Sequence, residues 1–324
     1  MWRYIVRRIF VQGIPVLLGF TFVLYFVITI APGSPVTHLR GVPNIDEETI
    51  ARRQAQLGLN DSFPVQYVKW LGRVLRGDLG LSFDSSRRPV SELILERMPA
   101  TILLSASSIV LGWVIGIPVG ILSARYQYSA LDYVITFLAF VGISAPSFFF
   151  GLLLLYVFAA RLNVLPAGGF FLAGEPRTLV GYVQYLLLPS ITLGLGSIAG
   201  IARYMRSSLL EVMGQDFLRT ARAKGLSENK VVYKHALRNA LLPILTLMGF
   251  TIPSIFSGAV IVENIFAWPG LGSLAIQAVN ERNYPVIMGI NLMFAVLIFL
   301  GSLIADISYA VVDPRIRYEC GGHL

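Results

Sequence analysis

Few side chains in this sequence could carry covalent or metal chemistry, and their spacing does not bring them together. The three histidines, His38, His235 and His323, fall on different segments, with no paired carboxylates and no His-x-x-Glu-His pattern. The lone Cys320 excludes an internal disulfide, and with Glu319 and His323 it makes a poor metal-binding set. None of the four lysines (Lys69, Lys224, Lys230, Lys234) follows a glycine, so a Gly-Lys-Ser/Thr phosphate loop is missing. No catalytic residue, metal or cofactor is therefore expected in this chain. What remains is a charged segment around residues 203–238 and a set of hydroxyls inside apolar blocks: Ser144, Ser147, Thr192, Ser197 and Ser254. Hydroxyls make weak, reversible contacts, which suit the passage of a solute better than its conversion.

The elements that position these residues are apolar blocks. The chain has 324 residues, is 55% hydrophobic and only 14% charged, and has a mean hydropathy of +0.69. That composition excludes an ordinary soluble enzyme and a disordered chain. Six stretches lack any charge: 9–31, 98–124, 133–160, 178–202, 239–262 and 283–305, each 23 to 28 residues long. About 20 residues cross a bilayer as a helix. The sequence predicts an all-α polytopic membrane protein with six transmembrane helices.

The net charge of +8 fits this topology better than a nucleic-acid partner, and none is expected. With the N-terminus inside, the short cytoplasmic pieces carry fourteen Lys and Arg residues and the short outer loops only Arg161, Arg177 and Arg282. The other nine lie in 32–97, a segment long enough to be translocated regardless of charge. Both termini are expected in the cytoplasm. The first block follows Arg3, Arg7 and Arg8 as a signal peptide would, but its 23 residues are too many for such a core, and it reads as an anchor.

Segment 32–97 reads as a helical cap outside the membrane. Asp46–Leu57 and Pro64–Arg76 are expected helices, each ending at a glycine (Gly58, Gly77). Val65, Val68, Leu71 and Val74 or Leu75 form the expected apolar stripe of the second. Prolines at 118, 146, 189 and 253 interrupt four spans, and Ser144–Ala145–Pro146–Ser147 could line or hinge a path. In the cytoplasmic segment, Leu209–Lys224 predicts one helix and Gly225 a left-handed stop; Ser227 caps a second helix, and Pro243 marks entry to the fifth span. Phe217, Leu218 and Ala221 make an apolar ridge rimmed by Asp216, Arg219 and Arg222. Such a helix suits either a groove on another protein or the surface of anionic headgroups.

Residues 219–243, RTARAKGLSENKVVYKHALRNALLP, resemble the cytoplasmic loop of permeases in binding-protein-dependent ABC importers. The loop departs from the general pattern of that family. Arg219 and Thr220 stand where Glu and Ala are usual, and seventeen residues separate Gly225 from Pro243 rather than about twelve. The departure resembles the peptide/nickel (dipeptide and oligopeptide) branch, as do 57–82, 144–159, 163–169, 263–287 and 313–319. Asn283 stands where that branch leads one to expect Asp.

The resemblance implies the transmembrane domain of a type I ABC importer in a bacterial inner membrane. Residues 1–31 would form the first span, 32–97 the extracytoplasmic cap, and 98–324 a five-helix core with a coupling loop at 203–242. It also implies a second, homologous permease chain, two cytoplasmic ABC ATPases that bind ATP and Mg, and an extracytoplasmic solute-binding protein. Asp216, Phe217, Leu218, Arg219, Thr220, Ala221, Arg222, Lys224 and Gly225 would couple to the ATPases, with the ridge of Phe217, Leu218 and Ala221 in their groove. Ser144, Pro146, Ser147, Thr192, Ser197 and Ser254 would line the substrate pathway. The rival reading is a secondary, ion-coupled carrier. It needs ionisable groups at the bilayer midplane, whereas Glu263 and Asp306 sit at block edges where water is expected to reach them. The solute could be a dipeptide, an oligopeptide or a nickel chelate.

Overall fold

The computed structural model describes residues 6–32, 35–36, 47–56, 58–84, 87–170, 178–250 and 260–312. Among them every regular element is helical. In chain order these are α1 (Arg8–Ile30), α2 (Glu47–Gln56), α3 (Phe63–Val74), α4 (Val90–Arg125), α5 (Ala130–Ser144), α6 (Ser147–Arg161), α7 (Leu179–Met213), α8 (Asp216–Ala223), α9 (Leu237–Phe250), α10 (Val260–Ile265), α11 (Leu271–Asn280) and α12 (Tyr284–Val312). Helices α1, α4, α7 and the Tyr284–Leu303 part of α12 are each long and apolar enough to cross a bilayer, and α5 with α6, bent by 109°, passes that test as a pair, as a broken span or a re-entrant loop would. The expected fifth span, 239–262, is described only to residue 250 and again from 260.

The chain divides into two compact units, Met1–Ala100 with Pro269–Ile304, and Thr101–Trp268 with Ala305–Leu324. In the first unit the cap has no core of its own. It borrows one from α1 and α12: Tyr67 and Trp70 of α3 pack with Met288, alongside Tyr25, Ile28 and Leu292. Phe22, Tyr25 and Phe26 of α1 meet Phe63 and Tyr67 at ring distances of 5.3–6.1 Å, and the Thr21 and Tyr67 hydroxyls are 3.1 Å apart. The inward stripe of α3 is therefore aromatic. Of the expected stripe only Leu71 and Val74 face inward; Val65, Val68 and Leu75 are exposed. Rings win because they bury more area against an apolar span than valines do. Buried Asn283 accepts from the Phe83 N–H at 3.0 Å and donates to the Ser82 hydroxyl at 2.6 Å. The amide uses both its ends here, oxygen to the N–H and NH2 to the hydroxyl.

In the second unit α4 and α7 approach closely. Gly116 and Gly120 face α7, where an added Cβ would stand 2.9 Å from the Ile198 carbonyl oxygen and 2.5 Å from that of Ala202. From the other side, a Cβ on Gly194 would stand 2.9 Å from the Ser108 carbonyl oxygen. Small residues let helices pack backbone to backbone, which matters in a membrane where hydrophobic burial drives no association. Helix α4 starts at Val90, well ahead of the apolar block at 98, because Val90 and Ile94 are buried in the first unit's core beside Leu271 and Val286. Helix α7 runs eleven residues past the block that closes at 202. Arg203 and Arg206 thus lie on the continuing helix rather than open a loop.

Candidate functional site

The charged segment 203–238 is built from the end of α7 upward. The single helix expected over Leu209–Lys224 is broken. Helix α7 stops at Met213, Gly214 caps it, Gln215 is extended (ψ 147°), and α8 begins at Asp216. The break lets Leu209 and Leu218 enter one cluster with Met205, Ala221, Val231, Val232, Ala236 and Ala240. Leu218 is 0% exposed and Ala221 is buried, whereas Phe217 is 43% exposed. This corrects the expected ridge: Leu218 and Ala221 bind α8 to its own chain and are not free to enter a partner's groove. The outward face is Asp216, Phe217, Arg219, Thr220, Arg222 and Lys224.

Helix α8 ends as the sequence predicts. Gly225 has φ +78°, its N–H donates to the Arg222 carbonyl at 2.9 Å, and the Leu226 N–H reaches back to the Ala221 carbonyl at 3.4 Å. These two bonds form a Schellman stop, and the left-handed residue strongly favours glycine. Across the turn, Arg222 grips Glu228 through two bonds of 2.8 and 3.1 Å. Its guanidinium holds the Glu228 carboxyl below the usual carboxylate range. Both groups are well exposed, so the pair contributes about 0–1 kcal/mol and serves mainly to orient. Ser227 has the extended backbone of a cap but makes no side-chain cap bond. From Glu228 the chain passes through a π-helical stretch, Val231–Ala236, straight into α9. Pro243 lies inside that helix and does not open it; the continuous helical run begins at Glu228.

Two further contacts brace this end, and neither is among the expectations drawn from the sequence. Arg125, closing α4, donates to Asn229 at 2.7 Å and lies 5.7 Å from the Tyr233 ring. Buried Asp132 at the start of α5 receives Arg206 of α7 in a two-pronged pair, 2.8 and 2.7 Å, and also accepts from Ser123 and from the Tyr128 N–H. A buried carboxylate with all its lone pairs engaged is costly to disturb. The signal was a lone Asp bordering an apolar block, with an Arg late in the next span.

The pathway residues are dispersed. Helices α5 and α6 meet at 109°, with Ser144, Pro146 and Ser147 all exposed at the bend. Ala145 is extended (ψ 133°), as a residue before proline must be. Ser197 is exposed on α7. Thr192 is not available: it is 1% exposed, donates to the Leu188 carbonyl at 2.8 Å and packs on Gly151. Ser254, Pro253, His38, Cys320 and His323 lie outside the described residues. Glu263 corrects another expectation. It is 0% exposed, its carboxylate accepts from the Thr101 hydroxyl at 2.7 Å, and its backbone carbonyl accepts from the Trp268 N–H at 2.7 Å. Water does not reach it; it holds the turn that follows α10. Asp306 falls in the part of α12 whose side chains are outside the description. Among the described residues no cluster of His, Cys, Asp or Glu could hold a metal ion.

The frame of the site is thus a set of helices long and apolar enough to span a membrane, joined to the short, braced helix α8. The chain matches the family described as the binding-protein-dependent transport system inner membrane component over residues 116–318, and that family's N-terminal component over residues 1–105. It belongs to that family. It is 46% identical to the oligopeptide transport system permease protein AppB of Bacillus subtilis (strain 168), over 98% of this chain and 100% of that one. It is 37% identical to the dipeptide transport system permease protein DppB of Escherichia coli (strain K12), again over 98% and 100%. Among solved structures, a chain of the inward-facing MetNI methionine ABC transporter shares its fold, with a TM-score of 0.54 and 19% identity over 69% of this chain and 97% of that one. The chain is a polytopic inner-membrane permease with the fold of ABC importer transmembrane domains.

Proposed function

We propose that this chain forms the translocation pathway of an ATP-driven importer of peptides, together with a second, homologous permease chain. An extracytoplasmic binding protein delivers the peptide from outside. Two cytoplasmic ATPases hold ATP and Mg and dock on the outward face of α8. The chain itself supplies no catalytic group: it transmits motion. The peptide assignment draws on the full-length similarity to permeases named for oligopeptides and dipeptides.

The observation that carries the coupling role is the division of α8 into two faces. Leu218 and Ala221 are sunk in the chain's own core, while Phe217, Arg219, Thr220 and Lys224 are left outward on a helix with fixed ends. A push on that outward face moves α7 and α9 with it, because all three share one cluster. The exposed bend at Ser144–Ser147 offers hydroxyls and no charge, so a zwitterionic peptide passes without being trapped at either end.

The test is reconstitution with the partner subunits in a host that lacks peptide uptake, with topology read by cysteine labelling in a Cys320→Ser background. Labelled di- or oligopeptide should enter only when ATPases and binding protein are present. Val68→Cys should react from outside and, in the permease expressed without its ATPases, Thr220→Cys only after the cytoplasmic face is opened. Uptake driven by an ion gradient without ATPases would instead establish the carrier reading.

A further inference from the structure

The first unit contains a cavity of about 870 Å³ between the cap and the ends of α1 and α12. The proposed topology puts this face outside. Ligand cavities commonly span about 300–1,000 Å³, so a short peptide fits. Its floor is aromatic, with Tyr25, Trp70, Phe83 and Tyr284 among the lining residues. Among the described residues its walls carry three cations, Lys69, Arg73 and Arg87, against two carboxylates, Asp61 and Asp78.

The charges are not evenly matched. Lys69 is neutralised by Asp61 at 2.6 Å. Asp78 accepts from the Gly80 N–H at 2.8 Å. Neither the Arg73 nor the Arg87 guanidinium has a carboxylate partner among the described residues, and both residues are exposed; only the backbone N–H of Arg87 meets a carboxylate, that of Asp84 at 3.1 Å. Trp70 adds to the surplus of donors: it is 3% exposed and its indole N–H has no acceptor among the described residues. A surface long in donors and positive charge, above an aromatic floor, suits a guest with an anionic head and an apolar body. Guanidinium groups bind carboxylates in a forked geometry that lysine cannot match.

We propose that this cavity receives an incoming peptide by its C-terminal carboxylate, held by Arg73 and Arg87, with the last side chain against the aromatic floor. The inference rests on the peptide-import reading and deepens it. It places a recognition step on the permease itself, before the membrane is crossed. It predicts a preference for peptides with a free carboxylate that persists without the binding protein.

The experiment uses the assembled permease and ATPase complex in nanodiscs without binding protein, with labelled Ala-Ala-Phe and its C-terminal amide as probes. The free acid should bind at least about tenfold tighter than the amide, the factor expected for one charge-assisted contact. The double variant Arg73→Gln/Arg87→Gln should bind both probes equally weakly, and Arg73→Lys should keep part of the preference. The acid-to-amide ratio of the unaltered complex is informative even if a variant folds poorly. Equal binding of acid and amide overturns the inference. So does a preference that survives in a well-folded double variant, or a double variant that loses only capture of the binding protein. If the complete system imports the peptide while acid and amide bind equally, the cavity assignment fails and the import reading stands. If the complete system imports no peptide, both fail.

Discussion

Replacing Gly120 by valine is expected to prevent α4 and α7 from packing and to abolish uptake by removing folded permease from the membrane. A Cβ at this position would stand 2.5 Å from the Ala202 carbonyl oxygen and 2.6 Å from the Met205 Cβ. Both neighbours are fixed, one as backbone and the other at the root of a buried side chain, so the helices themselves must separate. Overpacking of a well-filled contact typically costs about 1–3 kcal/mol, and a clash with backbone belongs at or above the top of that range. Valine adds two more carbons beyond the first. The control is Gly196→Ala on α7, where nothing lies within 4 Å of the added Cβ and the change should be neutral or slightly stabilising. Detergent-solubilised yield and thermal stability of the two variants check the contrast.

The second large effect is expected from Leu218→Asp. The side chain is fully buried among Met205, Leu209, Val231 and Val232, with no cation in that cluster. Removing the leucine alone costs about 2–5 kcal/mol. An unpaired carboxylate left in its place adds a further desolvation penalty. The lowest-energy response is for α8 to detach from α7 and α9 while the spans stay inserted. Membrane level should therefore remain near normal while uptake falls by at least about tenfold. The volume-conserving Leu218→Met should cost less than about 1.5 kcal/mol and retain transport. Phe217→Asp should behave differently again, leaving stability intact and weakening only the attachment of the ATPases.

These expectations show which parts of the molecule can be read along the chain and which need the fold. The spans are legible because roughly 20 uncharged residues have few other uses. The stops at Gly58, Gly77 and Gly225 are legible too, and all three glycines have positive φ. The inner face of α8 is not, since an apolar ridge at Phe217, Leu218 and Ala221 looks the same whether it meets another protein or its own chain. The decision lies with Met205, Leu209, Val231 and Val232, which only the turn at Gln215 and the stop at Gly225 bring together. The burial of Glu263 depends on Thr101, 162 residues away. For α3 the aromatic stripe was present in the sequence, but the valines advertise the same period, and only contact with α1 and α12 selects between them. The Gly112, Gly116, Gly120 repeat is a signal of close helix packing that can be read directly from its four-residue spacing.

The central claim is that the outward face of α8 receives the ATPase while its inward face belongs to the permease. Site-directed crosslinking tests it most directly. Single cysteines at Phe217, Thr220 and Leu218 are introduced in a Cys320→Ser background, and the assembled complex is treated with a short thiol-to-amine crosslinker in native membranes. The account predicts that positions 217 and 220 form adducts with a chain whose peptides include a Gly-Lys-Ser/Thr phosphate loop, and that position 218 forms none. Adducts at 218 but not at 217 or 220, or free labelling of 217 and 220 by a water-soluble maleimide in the fully assembled complex, would contradict it.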